Sequence, residues 1–408
     1  MGSRGALERG ATAHCNRERL LAAMIEESAS AGYEGTAVAR VAARAGLSRA
    51  EFYRRFAGRE ECFLAAFDEL LMRACARVQI ASRTLSPAGA DPHRGARAGL
   101  ATLLELAHSR PAAARLCLIQ TRSASVSSSA RLDGALELFA RMLADRGGSG
   151  PRSVGAAQLV TRRTVGVSMD VSATVAYGIV GGIYRALYAR LLAGRESELP
   201  GLGEDLLEWM RCYESPALAP QAQGRRKRST QARTVTSTHG GGDPAQRLAA
   251  YDAGMQRLLD AASAPLQAAP DWPSGVRAAL GAILGLLGRE PALLRLLSVE
   301  ILTLGPDGRE RDAHSLTAFA RLLAPVPAPG GRGQPQPLVW ELCAGGIWEV
   351  LRRHAVRGLG SELPARADAL AHLALAPYIA RETGGSADSV ARSSACRTSS
   401  PRAVRSHA

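Results

Sequence analysis

Apolar residues recur at helical spacing along most of this chain, and runs that alternate strictly, as a half-buried strand would, are few. Leu20, Leu21, Met24 and Ile25 lie on one side of the stretch from Arg17 to Ser30, which predicts a first helix. Gly32-Tyr33 predicts a turn after it. Thr36 is placed to N-cap a second helix whose apolar positions are Val38, Val41 and Ala42. Ala45-Gly46-Leu47-Ser48 then breaks the pattern. Gly46 supplies a left-handed turn, Leu47 plugs the angle between helices, and Ser48 caps a third helix. That helix buries Phe52 and Phe56, four apart, and leaves Arg49, Glu51, Tyr53, Arg54 and Arg55 outside. A short helix, a glycine turn and a basic aromatic helix make a helix-turn-helix, the arrangement that lays its second helix in a DNA groove. Its expected core is Val41, Ala42, Gly46, Leu47, Phe52 and Phe56.

The pattern T-x-x-x-[VI]-A-x-x-A-G-[LV]-S-x-x-x-[FL]-Y-x-x-F over Thr36–Phe56, followed by Arg59-Glu60, resembles the N-terminal domain of tetracycline-repressor (TetR) type regulators, over residues 13 to 68. The resemblance implies that Thr36, Ser48, Tyr53 and Arg59 meet phosphates, and that Arg49, Glu51 and Arg54 face bases or backbone. Arg40 and Arg55 complete the set expected at DNA. Glu51 departs from the family, which often has a small or hydroxyl residue there. A carboxylate at that point either accepts from a cytosine amino group or is repelled by phosphate.

Beyond the head the chain repeats itself. Residues 97–117 align without a gap to 277–297, and the same offset of 180 pairs Phe139-Ala140-Arg141 with Phe319-Ala320-Arg321. LAAFD at 64–68 faces LAAYD at 248–252, while GGI at 181–183 and SELP at 197–200 recur 164 residues later. The sequence therefore predicts an all-α protein: a helix-turn-helix head followed by two tandem TetR-like regulatory domains. The expected boundaries are a disordered arm over 1–12, the head over 13–62, a regulatory domain over 63–215, a flexible basic linker over 216–244, a second regulatory domain over 245–382, and a disordered tail over 383–408. Residues 146–175 read as an irregular Gly/Ser/Val-rich stretch.

In the TetR family the last helices of the regulatory domain usually build a dimer interface. Gly181, Gly182, Ile183 and Tyr184, with Gly345, Gly346, Ile347 and Trp348, are expected to form such a surface. Glycines let two helix axes approach, and Tyr184 or Trp348 would cover apolar area. Packing within each copy is the bland alternative. Either the copies pair inside one chain as a pseudo-dimer with one head, or two chains pair through the first copy.

Charge adds little to this picture. The formal net charge is +14, but residues 1–62 hold ten Arg against eight Glu, only +2. Residues 216–244 contribute +4 and residues 383–408 +3, so the linker and tail carry half of the excess. The basic run 225–228 reads either as a solvated linker or as a stretch that tracks phosphate. Seven scattered cysteines (15, 62, 75, 117, 212, 343, 396) with no C-x-x-C pair fit reduced thiols in a cytoplasmic protein. Cys117 reads as a small core residue or a redox sensor. No signal peptide is evident, and the apolar runs at Val171–Tyr184 and Ala278–Gly288 fall short of the roughly 20 residues that span a membrane. His108 and His354 stand without other metal-ligand types at ligand spacing, so no metal and no cofactor is expected. A nucleophile elbow, a Walker loop and a G-x-G-x-x-G motif are all missing, so the chain does not read as an enzyme.

The resemblance implies a sequence-specific transcriptional regulator, a ligand-responsive repressor of operator DNA with an unknown small-molecule effector. The pocket would lie between about Ala98 and Val180 and be aliphatic or vestigial, since aromatic residues are 4% of the chain. The alternative is a ligand-binding or protein-interaction module whose head no longer reads DNA.

Overall fold

The computed structural model describes residues 2–84, 92–144, 171–213, 243–325 and 337–380, and its regular elements there are all helical. The tail over 383–408 and nearly all of the linker and of the irregular stretch fall outside the described residues.

The head comprises α1 (Gly2–Gly35), α2 (Val38–Arg44) and α3 (Arg49–Tyr53). Helix α1 starts at Gly2, within the stretch expected as an arm. It is interrupted at Gly32, whose φ of 71° turns the chain toward α2. Helix α4 (Arg59–Thr84) begins in the head and runs on across the expected boundary at 62–63, so head and first helical region share one rod.

The first region continues with α5 (Pro92–Ser109), α6 (Pro111–Arg115), a π turn (Leu116–Gln120), α7 (Thr121–Ala124), α8 (Val126–Ala144), α9 (Val171–Leu192) and α10 (Gly203–Arg211). The second comprises α11 (Pro244–Ala268), α12 (Trp272–Arg289), α13 (Pro291–Ser298), α14 (Gly305–Leu323), α15 (Pro337–Val356) and α16 (367–380). Local signals set several helix starts. Asp243 and Asp271 cap α11 and α12, accepting from the backbone N–H of Ala245 at 3.2 Å and of Ser274 at 2.7 Å, each with proline in the first turn. Between α5 and α9, in the expected pocket region, Leu104, Leu116, Leu132, Leu136 and Tyr177 fill the interior.

At the centre α9 crosses α15. Every residue from Leu342 to Ala355 is buried, Glu349, Arg352, Arg353 and His354 among them. Glycines allow the close approach. A methyl at Gly182 would overlap the Leu342 carbonyl oxygen, and a methyl at Gly346 would overlap that of Gly178. A Cβ at Gly181 would lie 2.8 Å from the Glu349 Cβ, and one at Gly345 2.8 Å from the Arg185 Cβ. Each contact thus has a counterpart in which the two helices exchange roles at a shift of 164 residues, the spacing of the GGI segments.

Ile347 is buried and Ile183 half-buried beside this crossing. Tyr184 and Trp348 do not cover it. The Tyr184 hydroxyl donates to the Leu118 carbonyl at 3.0 Å, and the Trp348 ring lies 6.0 Å from that of Phe319. Two residues past the glycine means about 200° around a helix, so both aromatics point back into their own regions.

Candidate nucleic-acid interface

The turn between α2 and α3 follows from its residues. Gly46 has φ of 64°, its N–H donates to the Ala43 carbonyl at 2.9 Å, and the Leu47 N–H donates to Ala42 at 2.9 Å, closing the helix end. Ser48 caps α3 by accepting from the Glu51 N–H at 3.1 Å. Val41, Ala42, Phe52 and Phe56 are buried, and Leu47 packs partly buried against them. Phe56 lies past the end of α3, yet its ring stays 5.7 Å from that of Phe52.

This core presents Arg49, Tyr53 and Arg54 to solvent; Tyr53 is 57% exposed and the Arg54 side chain 69%. Ser48 and Arg40 are exposed on the same head, and Arg40 is paired with Glu27 at 3.4 Å. Glu27, missed in the sequence, also accepts from Arg44 at 2.7 Å and so braces α2 against α1.

Four expected DNA-facing residues are placed otherwise. Thr36 is buried, and its hydroxyl donates to the Gly32 carbonyl at 2.7 Å, so Ala37 holds the N-cap position of α2. Arg59 donates to the carbonyls of Tyr33, Glu34 and Thr36 at 3.1 to 3.2 Å and lies over the Tyr33 ring at 4.3 Å. It clamps the α1–α2 turn. Arg55 is turned inward onto Glu51, donating to its carbonyl at 3.1 Å and pairing with its carboxylate. Glu51 is itself 14% exposed at the side chain and directed at Arg54, Arg55 and Asn16. Spacing alone places a residue on a helix face but does not say which neighbour captures its polar end.

The head meets the first region at the π turn, where the Tyr33 N–H donates to the Gln120 side-chain oxygen at 3.2 Å. Two residues on, Arg122 enters a buried ionic cluster that the sequence did not reveal. It donates to Tyr184 at 3.0 Å, Asp133 at 2.8 Å and Glu349 at 3.0 Å. Arg352 pairs with Asp133 and Glu349, and Arg185 donates to Asp312 at 2.6 Å. Burial pushes the Glu349 carboxyl up, against the pull of Arg122 and Arg185. The only hint of this cluster in the sequence was charge inside otherwise apolar helices, as in Glu349 and Arg352. Among the described residues no helix is long and apolar enough to cross a membrane.

A basic aromatic helix presented by a glycine turn on a three-helix head defines a DNA-binding transcriptional regulator. Residues 20–66 match the family described as bacterial regulatory proteins, tetR family. Among solved structures the chain is similar to the fatty acid degradation regulator FadR from Bacillus halodurans, with 12% identity and a TM-score of 0.39 over 48% of this chain and 94% of that one. It is also similar to the transcriptional regulator FadR from Bacillus subtilis in complex with stearoyl-CoA, with 15% identity and a TM-score of 0.38 over 47% of this chain and 96% of that one. No curated protein matches the chain.

Proposed function

We propose that the chain is a ligand-responsive repressor that binds operator DNA through α3, and that its two helical regions pair within one chain around the α9–α15 crossing. The exposed row of Arg49, Tyr53 and Arg54 on a helix fixed by Ser48 and Phe52 carries the first part. In a major groove the arginines reach base edges and phosphates, and the Tyr53 hydroxyl meets backbone. Chromosomal DNA as target puts the protein in the cytoplasm. An effector in the first region acts by favouring a head orientation that no longer fits the groove, a shift of population.

The reciprocal glycine contacts support the second part, because an interface between two like units repeats each contact with roles exchanged. Ion pairs at equivalent repeat positions, Arg131 with Asp68 and Arg311 with Asp252, point the same way. So does the seat of the head. Gln120 accepts from the head in the first region, whereas Glu300, its counterpart 180 residues on, is taken by Arg247 and Arg295. One head then serves two cores.

Genome-wide mapping of bound DNA, with light scattering of the purified chain on the recovered duplex, tests both parts. The expected result is a lone half-site carrying one chain. A palindrome carrying two chains overturns the single-chain pairing. No enriched site, with Arg49→Ala and Tyr53→Ala leaving DNA affinity unchanged, overturns the DNA reading in favour of an interaction module.

A further inference from the structure

Glu51 is the one acidic residue on the helix that meets DNA, and the structure explains why it is tolerated there. One carboxylate oxygen pairs with Arg54 and the other with Arg55, three and four residues along the chain and just past the end of α3. Asn16 of α1 donates to the second oxygen at 3.3 Å, holding the group from the far side. His14 and Arg17 complete the cleft around it. The Glu51 and Arg55 side chains are only 14% and 16% exposed, whereas Arg54 extends outward. Partial burial raises the Glu51 carboxyl, but the hydrogen bonds from Arg55 and Asn16 and the charge of Arg54 outweigh it and hold it below the usual carboxylate range.

A carboxylate whose oxygens already accept from Arg54, Arg55 and Asn16 has little capacity left for a cytosine amino group, and it screens the positive helix face from phosphate. We infer that Glu51 is a positioning residue for specificity: it aims the Arg54 guanidinium at base edges and withholds Arg55 from the phosphate backbone. The geometry separates the two arginines. The Arg54 side chain is 69% exposed, while that of Arg55 is 16% exposed and is additionally bonded to the Glu51 carbonyl at 3.1 Å. Freed of Glu51, Arg54 would lose its aim at base edges and Arg55 would find one of the phosphates, which surround the groove and carry no sequence information. This inference rests on the DNA-reading proposal above.

The test uses the full chain, the operator duplex recovered by genomic mapping and a scrambled duplex of equal length. Binding is followed by fluorescence anisotropy across a salt series for the wild type, Glu51→Gln, and Glu51→Gln with Arg55→Gln. For Glu51→Gln the ratio of operator to scrambled affinity should fall about 10-fold, chiefly by tighter binding to the scrambled duplex. The slope of log affinity against log salt should steepen by about one, for the one phosphate that Arg55 then reaches. Adding Arg55→Gln should return the slope to the wild-type value, which a purely structural role for Glu51 would not produce. An unchanged ratio and slope, or equal weakening on both duplexes, overturns the inference. If Glu51→Gln loses helix content by circular dichroism, Glu51→Asp replaces it. One methylene shorter, it cannot span both arginines, and an unchanged ratio there also overturns the inference. A wild-type chain that binds both duplexes equally refutes DNA reading itself; a discriminating wild type with an unaltered Glu51→Gln refutes only the role of Glu51.

Discussion

Arg122 donates to Glu349 at 3.0 Å across 227 residues of sequence, and neither side chain is more than 1% exposed. The pair joins α7, beside the seat of the head, to α15 at the heart of the second region. Removing Glu349 as Glu349→Ala would leave Arg122, Arg185 and Arg352 sharing Asp133 and Asp312, one buried positive charge in excess. A buried charge left uncompensated costs about 3–5 kcal/mol, so chemical unfolding should show a loss of that size. A loss below about 1 kcal/mol would mean that water reaches the cluster.

The glycine crossing yields a paired prediction. Gly182→Ala and Gly346→Ala each push a methyl into a backbone carbonyl, and each should cost about 1–3 kcal/mol in thermal or urea unfolding. The two costs should be similar, because the contacts are reciprocal. Gly281 in α12 has open space where a methyl would sit, so Gly281→Ala should instead stabilise the chain by about 0.5–1 kcal/mol. Destabilisation by all three alike would deny the crossing its tight geometry.

Acid should weaken the second region through His354. Burial pulls this imidazole down to about 4, with the charges of Arg366, Arg353 and Arg357 adding to the effect and the Val350 carbonyl, 2.8 Å from Nδ1, opposing it. An unfolded histidine titrates near 6.5, so between about pH 6.5 and 4 the unfolded chain takes up a proton that the folded chain refuses. The stability contributed by this group is therefore complete above pH 6.5 and lost as pH falls toward 4, by up to about 3 kcal/mol. Urea unfolding at pH 7 and pH 4 should show His354→Asn losing less stability than the wild type by about that amount; parallel profiles would exclude the effect.

Arg59 should behave as a brace. Arg59→Ala removes three hydrogen bonds and the stacking on Tyr33, and should lower the stability of the head by about 1–3 kcal/mol. Arg59→Lys should not restore it, since one ammonium cannot reproduce the planar fork and its stack. DNA affinity should fall on all sequences alike. A selective loss on the operator would put Arg59 at the bases instead.

Much of the head was legible before folding. Gly46, Ser48 and the Phe52/Phe56 spacing act over four or five residues, where φ preference, capping and helical period leave few alternatives. The proline-led and Asp-capped starts of α11 and α12 are readable for the same reason, as is the helical character of the described residues. Thr36, Arg55 and Arg59, expected at the DNA, have their polar ends held by groups elsewhere in the head. Local pattern says which face a residue occupies; it does not say whether Gly32, Glu51 or the Tyr33 carbonyl will be within reach.

The sequence by itself determined a helix-turn-helix head of TetR type, an all-α body and a repeated G-G-I segment, each through short-range chain geometry or internal similarity. Only the tertiary structure decided that Gly181 and Gly182 meet Gly345 and Gly346, that Glu51 faces inward to two arginines, and that Arg122 meets Glu349. Those contacts depend on which helices cross and at what distance. That is the outcome of burying every apolar face at once, and no local stretch of sequence encodes it.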